Sequence, residues 1–311
     1  MCGIVGLVLP EHISAKTRRR LVDGFTGALV DNERRGPVAT GIATYSPESG
    51  FMTLKSAVGA TQFVRGKEYS RLLQPSRGAV AMIGHTRNPT QGSPAISDNN
   101  HPIRVDRVLG VHNGWISNDR EIFSSLAKDG VRRTAQVDSE ALFRLVDISV
   151  NHRGTDVETL GALLYGVEGA FSFAYLNMVA PGELVVCKGD MPLTVMQHTS
   201  GAVAYSSEGW VAYTHFKPSQ GWMEVPVAEG TLIVLQAGAE VTMTAHAFEM
   251  PPSYWEQYVG GTSNLRAITS GTAVGTDGTR GSLLWDEWGV DGVDPLADYY
   301  GWGERDAQLG R

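Results

Sequence analysis

The sequence predicts an α+β protein in which packed sheets carry helices on their outer faces. Three observations lead there. Apolar runs of strand length open the chain and dominate it after residue 170, while helical periodicity is concentrated near the start and in the middle. The composition, 42% hydrophobic and 19% charged, is that of a chain with an ample core and rules out a disordered or fibrous protein. The composition also changes near residue 250, so the order of elements belongs to residues 1–250.

CGIVGLVLP, from residue 2, is a short apolar strand. Ser14 is positioned to cap a helix that brings Leu21, Val22, Phe25 and Leu29 onto one face. Strands are expected at 38–46, 51–57 and 79–85, and a loop-rich stretch at 86–107. VLGVHNG at 108–114 reads as a strand running into a turn, with strand-like Trp115 and Ile116 after it. Asn118 with Glu121 has the form of a capping box for a helix that turns Ile122, Phe123 and Leu126 inward. Asp138 has the form of a cap for a second helix, with Ala141, Leu142, Leu145 and Val146 inward. Strands follow at 170–177, 183–188, 191–197, 202–206, 230–236 and 240–245.

The net charge of −7 and the lack of a basic block argue against nucleic acid or an anionic membrane as partner. No apolar run approaches the ~20 residues that span a bilayer, and the N-terminus has no signal-peptide pattern. With two cysteines far apart in sequence, a disulfide scaffold is not expected and a cytoplasmic location is. Histidines and cysteines form no metal-ligand spacing, so neither a metal nor another cofactor is expected.

Cys2 directly follows Met1 and precedes Gly3. Removal of the methionine would give Cys2 a free α-amino group, whose pKa of about 7.7–8.0 lets it take a proton at neutral pH. Nucleophile and base would then share one residue. From position alone the alternative stays open that Cys2 is a small buried residue starting a strand.

CGIVG at 2–6 resembles the start of class II glutamine amidotransferases, which belong to the N-terminal-nucleophile hydrolases. Further segments resemble that family in its order: RRGPVATG at 34–41, GHTRNPTQG at 84–92, NNHPI at 99–103, VHNGWISN at 111–118 and VDSEAL at 137–142. GAFSFAYL at 169–176 and GDMPLTV at 189–195 fit later strands, so the resemblance covers about residues 1–240. It implies a four-layer αββα sandwich of two antiparallel sheets flanked by helices. It also implies hydrolysis of the side-chain amide of L-glutamine through a Cys2 thioester. Asn113 and Gly114 match the family's oxyanion pair, Arg87 the residue that binds the substrate α-carboxylate, and Asp138 the residue that receives the α-amino group. Thr90 and His101 fall in the same motif segments and are candidates for shaping the pocket; His85 and His112 fit loop shaping or core hydrogen bonds. Two residues depart from the pattern: Val38 stands where many relatives carry Asp after RGP, and Asn88 where relatives often have an aromatic residue.

Other readings remain at this point. The plain alternatives are an Asn-Gly hairpin turn for Asn113 and Gly114, a surface arginine for Arg87 and a helix cap for Asp138. A hydrolase of another γ-glutamyl or acyl amide would keep Cys2 without needing Arg87 and Asp138 together. A non-catalytic scaffold with the same fold would need none of these groups. Residues 251–311 carry nine acids against four arginines and four of the seven tryptophans, and no P-loop pattern. That segment is expected to be a disordered acidic tail or a docking segment. The ammonia acceptor is expected to be a separate synthetase or amidoligase.

Overall fold

The computed structural model describes residues 2–74 and 78–251. Met1 and residues 252–311, with the aromatic residues of the acidic segment, lie outside the described residues. Two antiparallel sheets face each other. The first joins β1 (Gly3–Val8), β2 (Ala39–Ser46), β3 (Gly50–Ser56), β4 (Ala81–Arg87), β11 (Thr194–His198), β12 (Val203–Ser206) and β13 (Trp222–Val225). Its strand order, β13-β11-β12-β1-β4-β2-β3, puts β1 at the centre. The second, in order β15-β14-β10-β9-β6-β5, joins β5 (Ile103–Val105), β6 (Val108–Ile116), β9 (Gly169–Asn177), β10 (Glu183–Lys188), β14 (Thr231–Gln236) and β15 (Thr242–Ala247). A two-residue ladder of β7 (Val150–Asn151) and β8 (Gly154–Thr155) stands apart.

Strand alternation explains the layers. Val5 and Leu7 of β1 point outward onto Leu21, Phe25 and Leu29 of α1 (Ala15–Asp31). Ile4 and Val8 point inward, where they join Ile83 of β4 and Leu109 and Val111 of β6. On the far side, Phe173 packs with Leu142, Phe143 and Val146 of α5 (Ser139–Ser149) and Leu160 and Leu164 of α6 (Val157–Tyr165). These three apolar clusters, one between the sheets and one under each helical layer, make the expected αββα sandwich. The remaining helices are α2 (Ala60–Phe63), α3 (Lys67–Leu72), α4 (Asp119–Leu126) and α7 (Gly209–His215). Among the described residues, no helix is long and apolar enough to cross a membrane.

Ser14 caps α1 as expected, its hydroxyl accepting from Thr17 N–H at 3.1 Å. Asn118 does not cap α4: its side chain instead donates to Gly166 O and accepts from Glu168 N–H, tying β6 to the start of β9. The chain also forms β5 within the expected loop, and α6 and α7 where strands were expected to dominate. Asp156 caps α6 by accepting from Thr159 N–H, a signal present in the sequence but overlooked.

Candidate active site

Pairing register assembles the site. Gly3 of β1 lies opposite Thr86 of β4, which sets Cys2 beside Arg87. By alternation Cys2 shares the inward face with Ile4, and His85 and Arg87 share it with Ile83. Asn113 shares the inward face of β6 with Leu109 and Val111. One small cavity is lined by Cys2, Arg87, Thr90, His101, Gly114 and Asp138, joined by Asn88, Gln91, His112, Val137 and Ser139. The expected site residues therefore converge, with Asn113 fully buried next to Gly114. A larger cleft of about 460 Å³ adjoins at Gln91, but no cysteine lines it, and its Arg133 is paired with Asp119 at 2.8 Å.

The Cys2 thiol donates to the Asn88 carbonyl at 3.6 Å. Burial pushes its pKa up, and that hydrogen bond works against the rise. At rest the sulfur is held as a thiol, so attack needs a base to take its proton. The contact uses the backbone of Asn88, one of the two residues at which the sequence departs from the expected pattern, and not its side chain. Val38, the other departure, donates its N–H to Arg87 O at 3.2 Å.

Asn113 and Gly114 do not form a turn. β6 runs straight through them to Ile116, pairing Asn113 with Ser172 and Gly114 with Phe171 of β9. The Asn-Gly signal misled because the glycine serves the strand: its φ of 133° suits glycine, and a side chain there would strike Ala170 O. Neither Nδ2 nor Oδ1 of Asn113 has a hydrogen-bond partner, although the residue is fully buried. A buried amide left this way costs about 1–3 kcal/mol, which marks it as a group kept for something other than stability.

Arg87 is buried, and burial lowers its pKa. Its guanidinium donates to Asn100 Oδ1 at 2.7 Å, to Gly92 O at 2.9 Å and to Gln91 O. All three acceptors are neutral, so the guanidinium is held in place without an ion pair among its hydrogen bonds, and the opposite charge that acts on it is Asp138 across the same cavity. A guanidinium in this state suits a carboxylate. Asp138 precedes α5 without the usual cap geometry: Oδ1 accepts from Ser139 N–H at 2.9 Å, and Oδ2 from Ile116 N–H of β6 at 2.8 Å. Oδ1 also accepts from the Ser139 hydroxyl at 3.4 Å, so Oδ2 is the oxygen that keeps a second lone pair for an ammonium group.

The histidines cluster. His85 and His101 stack with centroids 4.0 Å apart, His85 Nε2 lies 3.1 Å from His112 O, and His112 Nδ1 lies 2.9 Å from Ser139 Oγ. Burial pushes His85 down to about 3 and lowers His101 and His112 below the ordinary 6.5. Below pH 6.5 the unfolded chain gains protons that the folded chain refuses. The folded state therefore loses stability as pH falls from about 6.5 towards 3, by up to about 1.4 kcal/mol per pH unit for each histidine. Urea unfolding at pH 7.5 and 5 is expected to show a clear drop in midpoint, smaller in His85→Gln. Equal midpoints at the two pH values would refute the buried neutral cluster.

Asn99, Asn100 and Ser139 fall within the motif segments and Gln136 just before one, but the sequence assigns them no role; the structure shows that they hold the expected residues. The paired asparagines before His101 were the available signal.

Residues 93–210, which include Asn113, Gly114 and Asp138, match the family described as glutamine amidotransferase domain. Glutamine–fructose-6-phosphate aminotransferase (isomerizing) of Bradyrhizobium diazoefficiens is 33% identical over 209 residues, covering 67% of this chain and 32% of the relative. The Aquifex aeolicus enzyme of the same name is 32% identical over 201 residues, covering 63% of this chain and 30% of the relative. The chain thus spans about a third of the length of these curated relatives, 30% and 32% in the two cases. Among solved structures, the glutamine phosphoribosylpyrophosphate amidotransferase of B. subtilis superimposes with a TM-score of 0.60 over 80% of this chain and 50% of that one, at 18% identity. Motif order, sandwich architecture and these matches agree: the chain carries a glutamine amidotransferase domain of class II, on the N-terminal-nucleophile hydrolase fold.

Proposed function

We propose that this domain hydrolyses the side-chain amide of L-glutamine and passes the ammonia to an acceptor enzyme on another chain. The observation that carries the reading is the convergence, in one cavity between two sheets, of an N-terminal thiol, a guanidinium held by neutral acceptors and a carboxylate, beside a buried amide with no partner. With Met1 removed, the α-amine of Cys2 takes the thiol proton and the sulfur attacks the amide carbon. Asn113 Nδ2 and Gly114 N–H donate to the developing oxyanion. The amine returns the proton to the leaving nitrogen, ammonia departs, and water cleaves the thioester to glutamate. Arg87 and Asp138 receive the α-carboxylate and α-ammonium, with Thr90 and His101 as cavity walls. These two charged groups favour a free amino acid over another acyl amide.

The relatives' names couple glutamine to a second substrate, which supports an acceptor here too. We assign contact with the acceptor to the acidic segment after residue 250, because its tryptophans and tyrosines suit a hot-spot contact on a basic partner. A chain truncated after about residue 250 is expected to release ammonia from glutamine at the full-length rate, yet to lose glutamine-dependent amidation by the partner. Ammonium salt should restore that amidation. Unfolding on truncation would defeat the docking role, and no ammonia release by either chain would defeat the glutaminase reading.

A further inference from the structure

The two charged groups assigned to the amino-acid end of the substrate stand on separate elements: Arg87 ends β4 and Asp138 precedes α5. One dipeptide bridges them. Asn100, buried, accepts from Arg87 at 2.7 Å through Oδ1 and donates Nδ2 to Pro94 O at 2.7 Å, and its carbonyl accepts from Lys55 Nζ at 2.9 Å. Asn99, fully buried, accepts from Gln136 N–H at 2.8 Å, and its Nδ2 donates to Gln136 Oε1 at 3.1 Å and Ser93 O at 3.0 Å. Gln136 lies two residues before Asp138. Asn100 therefore grips the guanidinium while Asn99 grips the strand of chain that presents the carboxylate.

Charge matters as much as spacing. Asn100 orients Arg87 with a neutral oxygen. An aspartate in the same place would keep the acceptor, give up the donor to Pro94 O, and occupy the guanidinium as an ion pair with its full negative charge. We propose that Asn99–Asn100 is the gauge of this site: it sets the separation of Arg87 and Asp138 and holds Arg87 through a neutral oxygen rather than an ion pair, so that the site selects a substrate with a free α-carboxylate and α-amine. The inference rests on the glutaminase reading and adds two positioning residues to it.

The test compares ammonia release from L-glutamine and from L-glutaminamide, in which an amide replaces the α-carboxylate, for the full chain and its Asn100→Asp and Asn100→Ala variants. The wild type should strongly prefer L-glutamine. Asn100→Asp should lower kcat/KM for L-glutamine roughly 10- to 100-fold through KM, leave L-glutaminamide within about twofold, and so collapse the preference. Asn100→Ala, which keeps Arg87 free of that ion pair but less ordered, should raise KM for L-glutamine less and keep some preference. Equal losses on both substrates, a loss confined to kcat, or a preference unchanged in Asn100→Asp would overturn the proposal. If Asn100→Asp does not fold, an unchanged preference in Asn100→Ala overturns it. A wild type inert toward both amides would instead overturn the glutaminase reading, and this proposal with it.

Discussion

Cys2→Ala is expected to abolish ammonia release from glutamine while leaving the fold intact. No other described residue in the cavity supplies a sulfur nucleophile; Cys187 is buried in the cluster between the second sheet and its helices, where burial pushes its thiol well above the ordinary value. The structural cost should be small, within about 1 kcal/mol, because Cys2 precedes the ladder and its one hydrogen bond is a weak thiol contact. Circular dichroism and the unfolding midpoint should match wild type. The same reasoning requires a mature chain that begins at Cys2: a retained Met1 converts the α-amine into an amide nitrogen, and the base is lost. Intact-mass measurement of active protein that still carries Met1 would defeat the mechanism, as would an active Cys2→Ala.

Asn113→Ala is expected to lower kcat by roughly 10²–10³, the scale of one lost oxyanion donor. Its effect on stability should run against intuition for a fully buried residue. Ordinary truncation of a buried side chain leaves a cavity and lost contacts. Here the substitution also removes two buried polar atoms that have no partner, a relief comparable to the cavity cost. The unfolding free energy should therefore stay within about 1 kcal/mol of wild type. A variant with full turnover would exclude Asn113 from the oxyanion site. A strongly destabilised one would mean that its amide is satisfied in the folded protein after all.

Much of this was legible in the residues because local signals and long-range pairing agree. Leu21, Phe25 and Leu29 recur at helical spacing and do face one layer, and Ser14 does cap their helix. The alternation Ile4, Val5, Leu7 and Val8 divides between two clusters as a strand's two faces must. The failures came where a short-range signal was outvoted by a distant partner. Asn-Gly at 113–114 is a strong turn signal, yet β9 continues the ladder past it. Asn118 and Glu121 have capping spacing, but Gly166 and Glu168 claim the Asn118 side chain. Asp138 reads as a cap and does stand at the start of α5, accepting from Ser139 N–H, but its other oxygen also braces β6 through Ile116, which no local signal encodes. The supports of Arg87 stayed hidden because Asn100 reaches it across a loop, and no sequence period encodes a loop closure.

The central place of β1 governs when the site can exist. Gly3 pairs with Thr86, but on its other side Val5 pairs with Ser206. The first strand of the sandwich must therefore wait for one of its last strands before both its ladders close. Contacts of such wide sequence separation make folding slow, since a long loop must close before the pairing returns any stability. A nascent chain shorter than Ser206 holds its nucleophile on a half-paired strand, with the β4 ladder that sets Cys2 beside Arg87 but without the β12 ladder on the other edge. Topology thus works as a timer: the strand that follows the thiol, first of the sandwich in sequence, is locked on both edges only once nearly the whole sandwich has been made.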